Sequence, residues 1–300
     1  MTRGVHRTGA RPSIQTDAAS NDAKPPRAPG AMVIEAPDPL PGALRLDLPA
    51  LLGRALKADV PQRRQQIDLE SGAREGTCGL YALGMVFDFW HAKHPSAAAP
   101  LVKREDQQAP GVSFNHPPTT DVSVFDYALT AGYSATGEIF TASHLGAIGE
   151  HFGYEAKVHD GGDLDALYRV LDAGHPALVC FDVDANGNPH AVGGDHAHWG
   201  VITGYVDFEG ERYVVAKHGW DVAEHHVWRA EDFARSWRGL ESTDYYGTPG
   251  DGPLLPNGRP RPSRVDLPSA GEGRASIAAS VAGKIVEVVP PGEPFAAPPR

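Results

Sequence analysis

Only two cysteines, Cys78 and Cys180, occur in the 300 residues. At most one bridge can form, so a disulfide-stapled secreted scaffold is excluded and a reducing compartment, the cytoplasm, is expected. No run of 18 apolar residues is present, which excludes a membrane-spanning helix, and the N-terminus lacks the apolar core of a secretory signal. Export by a route without a cleaved signal stays open. Arg3, Arg7 and Arg11 precede the first acid, Asp17, but Gly4, Gly9 and Pro12 break the amphipathic helix a transit peptide would need. Basic charge is short as well: 27 Lys and Arg against 38 Asp and Glu give a net charge of −11. That excludes nucleic acid and an anionic membrane surface as main partners and suits a neutral or basic polypeptide.

What the chain does have is one apolar helix with a cysteine at its start. Leu83, Val86, Phe87 and Trp90 recur at i, i+3, i+4 and i+7, and Tyr81, Met85 and Phe89 form a second row at i, i+4 and i+8. Such a helix is apolar nearly all round, with Asp88 its one acid, and belongs inside the domain; Glu75-Gly76-Thr77 is its entry turn. Cys78 then lies in the first turn, where unpaired N–H groups and the macrodipole favour a thiolate. Taken alone, Cys78 is equally well read as a small buried hydrophobe. The sequence His196-Ala197-His198-Trp199-Gly200-Val201-Ile202 about 120 residues later, a histidine leading into a strand, adds the second half of a Cys/His pair.

Seven prolines and little apolar periodicity mark residues 1–41 as a disordered lead. The folded domain is expected over 42–292, with a Pro/Gly-rich insert at about 247–275 and a disordered tail at 293–300. A short helix spans Leu44 to Ala58, and a Pro-dotted surface loop follows Trp90. Helices capped by Asp121, Thr141 and Asp163 close at Gly132, Gly153 and Gly174. After Pro176 come strands at 177–183, 199–206, 212–217, 226–228 and 284–289, with a helix at 231–237 before the last; the loop 207–211 joins an antiparallel hairpin. Helices first and strands afterwards is an α+β order.

A buried Cys-Gly helix packed on a later antiparallel sheet that supplies a histidine resembles the papain-like cysteine peptidases, among them the C39-like enzymes and most closely the actin maturation protease family. The blocks that carry the resemblance are Glu75–Leu83, Phe181-Asp182-Val183-Asp184 with His196–Trp199, Ala216–Trp220 with Val227-Trp228, and Gly283–Pro290. The resemblance implies a papain-like, C39-like α+β fold and a peptidase acting on a polypeptide without a cofactor. Cys78 would be the nucleophile and His198 the base. It also exposes two departures. The glutamine that completes the oxyanion hole in papain-like sequences is replaced by Gly72 or Ala73, with Gln65 and Gln66 too far upstream. The orienting asparagine is replaced by His218, with Asp221 as a substitute. An inactive polypeptide-binding module, or a deamidase or transglutaminase-type acyl transfer, are therefore the alternatives.

Six of the fourteen histidines (His190, His196, His198, His218, His225, His226) fall between 190 and 226, the pattern a zinc hydrolase would need. No His-Glu-x-x-His or Cys-x-x-Cys accompanies them, so no metal is expected. His225 and His226 are read as residues of a solvated strand, and Cys180 as a small buried strand residue.

Overall fold

Helix α2 (Cys78–Lys93) is the axis of the fold, and every residue from Cys78 to Trp90 is buried. A helix apolar on all sides must be enclosed on all sides, and here the far end is fixed by the Trp90 Nε1–H donating to the Val288 carbonyl at 2.7 Å. Asp88 is buried as well, 8% exposed, while His91 and Lys93 in the last turn complement the helix dipole. In this computed structural model the described residues are 48–61, 76–104, 118–134, 137–184, 186–194, 196–219, 225–241 and 280–298. The expected lead at 1–41, the approach carrying Gln65, Gln66, Gly72 and Ala73, the residues Trp220 and Asp221, and the insert at 247–275 lie outside them.

Six strands form one antiparallel sheet in the order β1-β6-β2-β3-β4-β5. These are β1 (Glu155–His159), β2 (Ala177–Asp182), β3 (Ala197–Phe208), β4 (Glu211–Lys217), β5 (His226–Arg229) and β6 (Ile285–Val289). The expected hairpin is present: β3 and β4 pair from Phe208 opposite Glu211 down to Val201 opposite Lys217. Its tip turns through Glu209 (φ 51°) and Gly210 (φ 82°), two left-handed residues whose twist matches that of the flanking strands. Strand β1 was not foreseen. Its five residues alternate polar and apolar, with Ala156 and Val158 packed on the α2 cluster, but the run is short and rich in weak strand formers (Glu155, Ala156, Lys157), and pairing with β6 makes it a strand.

Period-2 alternation divides the buried side chains between two faces. Cys180, Ala197, Trp199 and Val201 join the cluster around α2 and α4 (Ala142–His151). Ala177, Val179, Phe181 and Ile202 join the one formed with α5 (Leu164–Asp172) and α6 (Ala230–Arg238). The sheet is thus covered by helices on both faces. Helix α3 (Val124–Thr130) is capped by Ser123, whose hydroxyl accepts from the Asp126 N–H, in place of the expected Asp121. Thr141 and Asp163 cap α4 and α5 as expected.

Two details hold the periphery. A bulge between Ile202 and Gly204 shifts the β3–β4 register where α1 (Leu48–Ala55) ends against the sheet. A Cβ on Gly204 would stand 2.1 Å from the Ala55 carbonyl oxygen, so only glycine lets the two backbones approach. Next, Lys217 is buried and its ammonium donates to Asp59 at 2.9 Å and to the Val60 carbonyl at 2.5 Å, tying the segment after α1 to β4.

Residues 293–298, expected to be disordered, lie against the domain. The carboxylate of the fully buried Glu287 pairs with His175 Nδ1 at 2.6 Å and His159 Nε2 at 2.7 Å, and accepts from the Ala296 N–H at 2.8 Å. Ala296 is 5% exposed. Burial alone would raise the Glu287 pKa, but these hydrogen bonds and the His159 charge hold it at about 2.

Candidate active site

The entry turn to α2 is shaped by what packs on it. A Cβ on Gly76 would fall 2.3 Å from Glu138 Oε1, so glycine is what lets the buried Glu138 lie across the turn. Thr77 occupies the N-cap position without a side-chain capping bond; its Oγ1 is buried and has no hydrogen-bond partner among the described residues. Cys78 opens the helix and is 6% exposed.

The sulfur of Cys78 accepts a hydrogen bond from the Trp199 backbone N–H at 3.4 Å. An N–H directed at sulfur favours the thiolate, adding to the helix-start dipole. That N–H belongs to the peptide joining His198 to Trp199, which puts the His198 Cα no more than roughly 6 Å from the sulfur on standard backbone dimensions. Trp199 itself lies over the helix start: a Cβ on Gly79 would meet its ring at 3.1 Å, and its Nε1–H donates to the Ile139 carbonyl at 2.8 Å.

His198 is fully buried. Its Nε2 is 2.8 Å from the main-chain carbonyl oxygen of His218, an acceptor only, so Nε2 carries the proton and Nδ1 is the basic nitrogen of the neutral ring. The ring packs edge-on against Phe181 and His218, with centroids 6.1 and 5.1 Å away. The structure thus brings the His198–Trp199 peptide to the Cys78 sulfur and the His198 ring to the His218 carbonyl at the end of β4. The contact to His198 comes from the His218 backbone, whereas the sequence pointed to the His218 side chain. His226, expected on a solvated strand, is buried with its ring 4.2 Å from that of His218.

The turn leading into His198 is organised by Asp182. Its buried carboxylate accepts from the backbone N–H groups of Val192, Gly194 and His196 at 3.1, 2.6 and 3.2 Å, and its carbonyl accepts from Ser236 at 2.6 Å. Burial raises the Asp182 pKa, and the three N–H donors lower it in part. Sequence reasoning noted Asp182 inside a family block without a role; the role needs the turn to fold back on it. Glu138 carried no signal at all. His196 is exposed, and among the described residues no group of three or more His, Cys, Asp or Glu side chains is placed to hold a metal ion.

Beside the sulfur is a cavity of about 20 Å³ lined by Cys78, Glu138, Ile139, Cys180, Trp199 and Val281, among others. Cys180 belongs to this site, then, and is more than a strand filler. Burial first, and then the Cys78 and Asp182 charges, push its thiol well above the usual range, while the His198 backbone N–H lowers it in part.

The fold and site define an α+β protein, helices on an antiparallel sheet, with a buried cysteine at the start of its central helix. Residues 70–206, the segment that contains Cys78 and His198, match the family described as actin maturation protease-like, C-terminal domain. The actin maturation protease of Drosophila melanogaster is 35% identical over 147 residues, 47% of this chain and 54% of that protein. The Homo sapiens protein of that name is 35% identical over 145 residues, 46% of this chain and 35% of its own. The chain thus spans about half the length of the first relative and about a third of the second. His218 lies beyond the family match.

Proposed function

We propose that the chain is a thiol-dependent peptidase of papain-like, C39-like fold that cleaves a polypeptide through an acyl-enzyme, with Cys78 as nucleophile and His198 as general base. The observation that carries this reading is the 3.4 Å contact between the Cys78 sulfur and the N–H of the residue after His198, inside a segment related to proteases. The thiolate attacks the scissile carbonyl carbon, forming the C–S bond and an oxyanion that first-turn N–H groups of α2 are positioned to receive. Collapse breaks the C–N bond as protonated His198 Nδ1 gives its proton to the leaving amine. Water, deprotonated by the same nitrogen, then releases the acid and the thiol. The His218 carbonyl fixes the ring's tautomer. Actin is the proposed substrate on the strength of the relatives' name alone.

A second reading, an inactive polypeptide-binding module, draws on Gly72 and Ala73 standing where glutamine is usual. Intact-mass analysis after an electrophilic peptide probe separates the two. A single adduct on the wild type and none on Cys78→Ala supports the peptidase; no adduct on native protein leaves the binding module.

A further inference from the structure

We infer that Cys78 and Cys180 form a reversible disulfide when the protein meets a hydroperoxide, with Cys180 as the resolving thiol. The two cysteines are 102 positions apart, the difference of their numbers, and are the only two in the chain, yet both line one cavity of about 20 Å³, room for about one water. Both also flank the same residue: Cys180 is the cross-strand partner of Trp199, whose N–H touches the Cys78 sulfur. Their side chains share one hydrophobic cluster on the α2 face of the sheet.

The two thiols differ in the way such a pair requires. Cys78 has the helix start and the Trp199 N–H to favour its thiolate, and only a thiolate attacks peroxide at a useful rate. Cys180 is held as a thiol, first by burial and then by the charge at Cys78. It therefore waits unreacted until its neighbour is oxidised. In the first step the Cys78 thiolate takes the distal oxygen of the hydroperoxide: the O–O bond breaks, sulfur is oxidised to sulfenic acid, and the alcohol, or water from hydrogen peroxide, leaves with a proton. In the second step the Cys180 sulfur attacks the sulfenic sulfur, the S–S bond forms, and hydroxide leaves as water with the Cys180 proton. A dithiol reductant reverses the bridge by exchange, returning both thiols and leaving as its own disulfide. The bridge would block the nucleophile while protecting it from irreversible sulfinic acid.

The inference rests on Cys78 being a reactive thiol, and the experiment separates that reading from the bridge. The reduced full-length protein is treated with a few equivalents of hydrogen peroxide, quenched with N-ethylmaleimide under denaturing conditions, and analysed by intact mass and peptide mapping. The expected result is a product lacking two hydrogens and carrying no maleimide, with the Cys78 and Cys180 peptides joined and dithiothreitol restoring both thiols. Cys180→Ala, which keeps an apolar side chain at the buried site, should instead carry Cys78 on to the sulfinic or sulfonic acid, a gain of two or three oxygens that dithiothreitol does not reverse. Cys180→Ser serves the same purpose if the alanine variant does not fold. The bridge is overturned if wild-type Cys78 gains two or three oxygens as fast as in the Cys180 variants, or if both thiols stay open to maleimide. If the bridge forms but the peptide probe leaves Cys78 unmodified, the peptidase reading fails and the bridge stands. If the probe labels Cys78 and no bridge forms, only the bridge fails.

Discussion

His198 donates its Nε2 hydrogen bond to the main-chain carbonyl of His218, 2.8 Å away. A carbonyl neither titrates nor depends on the side chain of its own residue, so the tautomer that makes Nδ1 basic is set by backbone geometry at the end of β4. His218→Ala should therefore keep most of the turnover number, whereas His198→Ala should lose about a hundredfold or more, as removal of a general base does. Steady-state kinetics on the two variants checks this. Equal loss in both would mean that the His218 ring acts directly.

Cys78→Ala should abolish turnover and probe labelling with little change in melting temperature. The substitution removes one sulfur atom from a site that already borders a cavity, so little packing is lost. Activity surviving in this variant would remove the nucleophile assignment.

Asp182→Ala should cut activity at least tenfold without touching either proposed catalytic side chain. It leaves the N–H groups of Val192, Gly194 and His196 without their acceptor, at about 1–3 kcal/mol for each that stays buried, and loosens the turn that delivers His198. Asp182→Asn retains one oxygen acceptor and should recover part of the rate. An equal drop for both variants in stability but not in rate would confine Asp182 to folding.

The Glu287 network predicts an acid-sensitive stability. Its carboxyl is held at about 2 in the folded chain against 4.5 ordinarily. Its contribution is fully present above pH 4.5 and is lost as pH falls from there toward 2; the difference corresponds to on the order of 3 kcal/mol. Denaturant titrations across that range should show a steep loss of stability in the wild type and a shallower one in Glu287→Gln. Parallel curves would show that other carboxyls dominate.

Gly204→Ala should destabilise by more than about 2 kcal/mol, because the added methyl meets the Ala55 carbonyl oxygen at 2.1 Å and neither backbone is free to move. Chemical denaturation measures it. A neutral result would mean that α1 detaches without cost.

The cysteine helix, the caps Thr141 and Asp163, and the β3–β4 hairpin follow from the sequence because each rests on local physics: an apolar period, an oxygen one turn before a helix, two β-rich runs around a short turn. The same local patterns were enough to nominate Cys78 and His198. Other features are decided only by the tertiary structure. Strand β1 is a five-residue alternation built mostly from weak strand formers, too short to stand out, and is held by pairing with β6. The His198 ring meets a main-chain carbonyl, a group that every residue has and no sequence reveals. Asp182 and Glu138 gain their places because distant backbone turns close upon them. Cys180 reads as a filler along β2, and it becomes a neighbour of Cys78 because antiparallel register sets it opposite Trp199 while α2 lowers its first residue onto that same peptide. Pairings of this kind depend on how elements stack, and stacking is fixed by the shape of the whole core.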